Sequence, residues 1–103
     1  DEQFIKNAIE IVEAQIDNPD FTVEAFQKVL GMSKTQLHRK LKALTDQSAS
    51  EFIRTLRIKR AAQYLKQKSH TVSEAAYSVG FNNLSYFAKC FREQFGKTPS
   101  QYP

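Results

Sequence analysis

Residues 71–83 read TVSEAAYSVGFNN and repeat the pattern of residues 22–33, TVEAFQKVLGMS. Thr22-Val23, Leu30-Gly31 and Met32 recur 49 residues later as Thr71-Val72, Val79-Gly80 and Phe81. In each copy, a residue that can cap a helix precedes a short helical pattern, and a Gly that tolerates the left-handed conformation follows it. Two copies are too few for a solenoid, so the repeat indicates a duplicated module.

The sequence after each Gly predicts a second, longer helix. Following a one-residue insertion in the turn, Leu37 and Leu41 recur fifty residues later as Phe87 and Phe91. Ser33 can cap the first of these helices, which places Leu37, Leu41 and Leu44 inward. Asn82 or Asn83 starts the second, and Gly96 ends it. Each copy is thus a short helix, a Gly-containing turn and a longer helix, the arrangement of a helix-turn-helix unit.

The rest of the chain is also predicted to be helical. Apolar residues recur at spacings of three and four residues over residues 2–16, which predicts a first helix. This helix should end before Asn18-Pro19. Ser48 or Ser50 opens a long helix that runs to about Lys66, and Thr71 or Ser73 caps the short helix of the second copy. Thr98-Pro99 begins a last short helix.

These patterns predict an all-α fold of about seven helices, with two tandem, homeodomain-like helix-turn-helix subdomains joined by a long linker helix. The single domain 1–103 divides into a first unit at 1–48, the linker helix at 49–68 and a second unit at 69–103.

Charge is distributed unevenly along the chain. Residues 1–30 carry two basic and seven acidic side chains, residues 31–68 carry ten and two, and residues 69–103 carry three and two. Positive charge concentrated in the middle third indicates a surface that faces a polyanion. A single cysteine, Cys90, forms neither an internal disulfide nor a cysteine-based zinc site, which fits a reducing, cytoplasmic compartment. No apolar run approaches the ~20 residues of a membrane span.

The outward face of the helix that Ser33 caps carries the residue types that read DNA. It presents Lys34, Thr35, Gln36, His38, Arg39, Lys40 and Lys42 and no acidic residue. Arg and Gln can contact guanine and adenine edges through two hydrogen bonds, at ~1–3 kcal/mol of discrimination each. Thr35 suits a thymine methyl group, and the lysines suit phosphates.

The second copy presents a less charged set on the same face: Asn83, Ser85, Tyr86, Lys89 and Arg92. We expect hydrogen bonding and some phosphate contact from it, with less electrostatic affinity. The sequence leaves two roles open for Tyr86, a phosphate contact or packing against neighbouring side chains. About 17 residues of linker helix span roughly 25 Å, which makes insertion into adjacent major grooves, about 34 Å apart, plausible.

Several stretches of the chain carry a family resemblance. Residues 80–91, GFNNLSYFAKCF, followed by residues 95–102, FGKTPSQY, resemble the signature of the AraC/XylS family of transcription regulators. Residues 33–41 resemble that family's first recognition helix, and residues 57–62 its linker helix. Residues 39–45 with 51–54 further resemble the output domain of hybrid two-component sensor histidine kinase/response regulators. The resemblance covers about residues 5–102.

The resemblance implies specific roles. Positions matching Thr35, His38 and Arg39 read bases in the first unit, and those matching Asn83, Ser85 and Lys89 do so in the second. Arg57 would tie the linker helix to its neighbours, although Arg57 and Arg60 could instead grip phosphates. Three residues depart from the family pattern: Gln27, where Ala is usual, Leu84, near a usual Asp or Pro, and Pro103, where Arg is usual. Gln27 must fit a tight contact between helices, with its amide at the edge.

We therefore predict sequence-specific binding of double-stranded DNA for transcription regulation. Base readout is assigned to Thr35, Gln36, His38, Arg39, Asn83, Ser85 and Lys89. Phosphate contact is assigned to Ser33, Lys34, Lys40, Lys42, Arg54, Tyr86 and Arg92.

RNA polymerase is the second expected partner, and no cofactor, metal, small-molecule ligand or catalytic residue is expected. The chain alone should be a monomer. It would be the output part of a longer parent, which could be anchored in the cell membrane and could carry dimer contacts and histidine kinase activity elsewhere. The alternative is a helical protein-interaction module that contacts the transcription machinery through its acidic first helix.

Overall fold

The computed structural model describes residues 2–103, which form six α-helices and one 3₁₀ helix without any strand. The helices are α1 (Glu2–Ala14), α2 (Val23–Leu30), α3 (Lys34–Thr45), α4 (Ala49–Lys66), α5 (Val72–Ser78) and α6 (Leu84–Phe95), and the 3₁₀ helix is Pro99–Gln101. The predicted all-α fold of about seven helices is confirmed. α1 ends before Asn18-Pro19, as the proline predicts.

Local capping sets the helix starts and decides between the alternatives in the sequence. Ser48, rather than Ser50, caps α4, and Thr71, rather than Ser73, caps α5. Asn83 caps α6, where its side-chain oxygen accepts a hydrogen bond from the Tyr86 amide at 2.9 Å. Hydrogen bonds to the caps lower the pKa of two carboxyl groups: Ser48 acts on Glu51, and Thr71 acts on Glu74.

Each unit has an aromatic centre, and α4 contributes to the packing of both. In the first unit, the ring of Phe26 lies 6.0 Å from those of Phe21 and Phe52, between centroids. In the second, Phe91 lies 5.8 Å from Phe87 and 5.0 Å from Phe95. Phe52 comes from α4, which contacts α1, α3, α5 and α6. Full burial of each such side chain contributes about 1.5–3 kcal/mol.

Two side chains depart from their predicted surroundings. Leu44 was predicted to face inward but is 40% exposed, because it lies at the end of α3 beside an open groove against Ile5 and Ile9 of α1. Gln27 is half-buried, and its side-chain oxygen is buried without a hydrogen-bond partner among residues 2–103. The expected position of that amide at an edge therefore does not hold for its oxygen.

Candidate nucleic-acid interface

The outward face of α3 carries a row of polar side chains one helical turn apart. Thr35, Arg39 and Lys42 lie opposite the buried Leu37 and Leu41. All three are exposed, and at 1.5 Å per residue the row extends about 10 Å along the helix. The exposed side chains of Gln36 and His38 flank it, one on each side. We call these three residues the α3 row.

α6 presents the equivalent row in the same register. Ser85, Lys89 and Arg92, the α6 row, occupy positions fifty residues after Thr35, Arg39 and Lys42, and all three are exposed. The N-caps Ser33 and Asn83 obey the same offset. The two copies therefore present matching faces, but Ala88 and Tyr86 replace the flanking His38 and Gln36 of the first. The unequal polarity predicted for the two units holds at equivalent positions.

One predicted member of the cationic face lies elsewhere. Lys40 is half-buried, and its Nζ lies 4.4 Å from the centre of the Phe4 ring of α1, within cation–π range. The prediction that Lys40 faces outward with the other lysines is therefore wrong, because α1 packs against that edge of α3. Lys34 is exposed at the start of the helix, and Lys42 pairs with Asp46 at 3.3 Å on the surface.

Helix capping occupies some of the predicted reading atoms. The Ser33 hydroxyl accepts from the Gln36 amide at 3.1 Å, and the Gln36 side-chain oxygen accepts from the Ser33 amide at 2.9 Å. The Asn83 side-chain oxygen is engaged in the same way at α6. Two-point reading of adenine needs both an acceptor and a donor. In this conformation the oxygens of Gln36 and Asn83 each already accept one backbone hydrogen bond, so their amide NH₂ groups are the freer reading atoms.

An open groove of about 290 Å³ separates the two units beside α4. Arg54 of α4 donates a hydrogen bond to the Tyr86 hydroxyl at 3.4 Å, so two residues predicted to contact phosphate lie together. Tyr86 is 46% exposed, and its ring centre lies 6.0 Å from that of Phe81. It thus both packs and presents its hydroxyl. Thr22, Ser50 and Asn82 also line the groove, and the sequence pattern does not assign them to the interface. The position of Thr22 as a helix cap is the one signal in the sequence that points to it.

Arg57 lies beneath this groove and binds both units. Its side chain is 7% exposed, the one buried polar or charged side chain in residues 2–103. Nη1 donates to the carbonyl oxygens of Val79 at 2.8 Å and Ile16 at 3.2 Å; Nη2 donates to those of Asn18 at 2.9 Å and Phe21 at 3.4 Å. The predicted tie between the linker helix and its neighbours is confirmed, so Arg57 is withdrawn from phosphate contact.

Burial or an ion pair affects two of the cationic side chains of the linker helix, those of Arg57 and Arg60. Burial lowers the pKa of Arg57, and the Asp17 carboxylate opposes that effect; a guanidinium nevertheless stays protonated in proteins. Arg60 lies 3.6 Å from the Glu13 carboxylate of α1. Arg54 and Arg57 both line the groove. Because the Arg57 guanidinium is bound to four backbone carbonyls, Arg54 is the candidate of the two for a phosphate contact.

Within residues 2–103, His, Cys, Asp and Glu side chains form no group of three or more suited to a metal ion. None of the described helices combines the length and apolar character needed to cross a membrane. Cys90 is buried in the second unit, 6% exposed.

A family described as "Helix-turn-helix domain" matches residues 27–103. "Histidine kinase P4" of Formosa agariphila is 47% identical over 99% of this chain, which spans 7% of that relative's length. "Regulatory protein SoxS" of Salmonella typhimurium is 32% identical over 98% of this chain and 94% of its own length.

A solved structure with the same arrangement of helices is that of a transcriptional regulator from Chromobacterium violaceum, described as an AraC-type DNA-binding domain-containing protein. It superposes with a TM-score of 0.83 at 28% identity, over 91% of this chain and 83% of its own. The two units and the helix between them thus recur together in a protein of related sequence.

Proposed function

Since this chain belongs to the AraC-type helix-turn-helix family of DNA-binding transcription regulators, we propose that it inserts α3 and α6 into successive major grooves of one duplex. The observation that carries the proposal is the pair of matching exposed rows, in equivalent register on two helices that α4 holds apart. The described residues extend 38 Å along their longest axis, which is compatible with groove centres about 34 Å apart.

The two units have unequal tasks in this proposal. Thr35, Arg39, His38 and the NH₂ group of Gln36 read bases in the first half-site, and α3 also supplies most of the electrostatic affinity. Ser85, Lys89 and the NH₂ group of Asn83 read the second half-site. Two unlike half-sites are then read by one chain without a symmetric dimer, so a monomer suffices for binding.

Phosphate contacts would border both grooves. Lys34 and Lys42 would contact phosphates beside the major groove that α3 enters, and Arg92 would contact phosphates beside the groove that α6 enters. Arg54 and Tyr86 face the backbone that runs between the grooves, because their groove opens between the two units. The Ser33 amide is engaged in the cap of α3, but its hydroxyl acts there only as an acceptor and keeps its O–H for a phosphate oxygen. Lys40 is a weaker candidate, because it packs on Phe4.

We further propose that the chain is the output part of a longer, cytoplasmically exposed signalling protein. The similarity to a small part of a histidine kinase supports this role. RNA polymerase is the proposed protein partner, and α1 offers the surface. There Glu2, Glu10 and Glu13 border the groove formed by α1 with Leu44, which suits a basic partner.

Titration of duplex binding against salt tests the central proposal. A chain that neutralises Z phosphates should show a slope of log K against log salt near −0.9Z. The phosphate contacts best supported are Lys34, Lys42, Arg54, Tyr86 and Arg92, four of which are cationic, so the expected slope is about −3 to −4. No duplex binding at low salt would defeat the proposal and favour a module that binds only proteins through α1.

Lys42→Ala should weaken binding to all duplexes by a similar factor. Lys42 is exposed at the end of the α3 row, and its ion pair with Asp46 is a surface contact worth little to stability. Removal of one phosphate contact should reduce the magnitude of the salt slope by about 0.9. A loss confined to one base pair, with an unchanged slope, would instead make Lys42 a base reader.

A further inference from the structure

The Arg57 guanidinium joins the two units at a single point. Three of its acceptors, the carbonyls of Ile16, Asn18 and Phe21, belong to the first unit, between α1 and the start of α2. The fourth, the Val79 carbonyl, belongs to the second unit and makes the shortest bond, 2.8 Å. Every acceptor is a backbone atom, so the bonds hold the chain path of each unit rather than a movable side chain.

Gly80 brings the second unit against this guanidinium. A Cβ added at Gly80 would lie 1.5 Å from Nη1 of Arg57 and 3.1 Å from the Ile16 carbonyl oxygen. The backbones of the two units therefore approach each other closely at Gly80 and Ile16, beside the Arg57 guanidinium that bonds to both. The hydrophobic effect that drives α4 against each unit is non-directional, whereas a planar guanidinium donates in fixed directions.

We infer that Arg57 is a positioning residue that fixes the angle between the two units and thereby selects one spacing between the two half-sites. The inference rests on the proposed insertion into two grooves. One added base pair moves the second half-site by about 3.4 Å and turns it by about 35° around the duplex. Two units held at one angle cannot rotate to meet the displaced half-site. Two units that are no longer joined through Arg57 can.

The first test measures spacing preference in the full chain. A site selected from random duplex DNA is altered by inserting or deleting one or two base pairs between its half-sites. The unaltered chain should lose affinity on the order of tenfold or more for one base pair, as for a mismatch. Arg57→Met and Arg57→Lys should reduce that ratio to about threefold or less. Their affinity for a duplex holding only the first half-site should not change.

Arg60→Met is the matched control. It removes the same type of side chain from the same helix, but its partner Glu13 belongs to the first unit, so the spacing preference should persist. Arg57→Lys retains a buried cation and some donors, which keeps the test valid if Arg57→Met unfolds. An unchanged spacing preference in folded Arg57→Lys and Arg57→Met would overturn the inference.

A second readout needs no DNA. Spin labels on cysteines introduced at Val29 and Tyr77, which are 62% and 54% exposed, report the distance between the units in the free chain. Arg57→Met should broaden a narrow distance distribution, and equal widths would overturn the inference. The two proposals can fail separately. If Arg57→Met broadens the distance distribution but the unaltered chain binds two half-sites no better than one, Arg57 still ties the units together. Insertion into two grooves, and with it the role of Arg57 in half-site spacing, would then be rejected.

Discussion

Replacing Gly80 by alanine should destabilise the folded chain by about 3–5 kcal/mol, the range for breaking a buried charged contact. Gly80 has a φ of +87°, which costs a residue with a Cβ about 1 kcal/mol. The larger part comes from Arg57, because the added Cβ would occupy the position of Nη1. A displaced guanidinium leaves buried carbonyls without donors, at about 1–3 kcal/mol each. Urea unfolding followed by circular dichroism measures the loss.

Gly31→Ala separates the two causes. Gly31 occupies the equivalent turn of the first unit with a φ of +66°, but an added Cβ there meets no atom within 4 Å. Its cost should be limited to about 1 kcal/mol of backbone strain. In an Arg57→Met background, Gly80→Ala should cost much less than in the unaltered chain, because only the backbone strain and the 3.1 Å contact with the Ile16 carbonyl oxygen remain. A double-mutant cycle would reveal the difference. Equal losses for Gly80→Ala and Gly31→Ala in the unaltered chain would show that Arg57 adjusts without cost.

The helix ends were predictable because the interactions that set them span three residues. Thr22, Ser33 and Gly96 act on backbone groups of their own turn. The same local reasoning could have gone further at Ser33 and Gln36, which have the spacing of a capping box. Recognising that box would have shown that the Gln36 oxygen is committed before any base approaches.

The faces of α3 were predictable only where they lie far from a neighbouring helix. Helical periodicity places Arg39 opposite Leu37 and Leu41, and no tertiary contact alters that. Lys40 and Leu44 lie at the edge of the face, where the position of α1 decides burial. Periodicity within one helix contains no information about where another helix packs.

The sequence predicted that Arg57 contacts neighbouring helices, but it could not predict which atoms Arg57 bonds to. Family resemblance suggested that Arg57 contacts neighbouring helices, yet its partners are backbone carbonyls 22 to 41 residues away. A carbonyl has no residue identity, so no pattern in the sequence marks it. Gly80 was predicted as a turn residue, and its second property, the space it leaves for a guanidinium, follows only from the packing of α4 against both units.

Arg39→Ala should remove discrimination at particular base pairs by about 1–3 kcal/mol, which is roughly ten- to a hundredfold in relative affinity. Arg39 is the exposed centre of the α3 row, so its guanidinium can reach a base edge. Competition against a panel that varies each position of a selected site measures the effect. A uniform loss across the panel would make Arg39 a phosphate contact instead.

Two further variants of the same experiment separate charge from base reading. Arg39→Lys keeps the positive charge but loses the planar pair of donors, so it should relax the same position while retaining the salt slope. Lys89→Ala removes the register-equivalent residue of the α6 row. It should relax a position about one helical turn of DNA, roughly 10 base pairs, from the position that Arg39 reads. If both variants relaxed the same half-site, α3 and α6 could not occupy successive grooves, because equivalent residues of a duplicated unit would then be reading one groove.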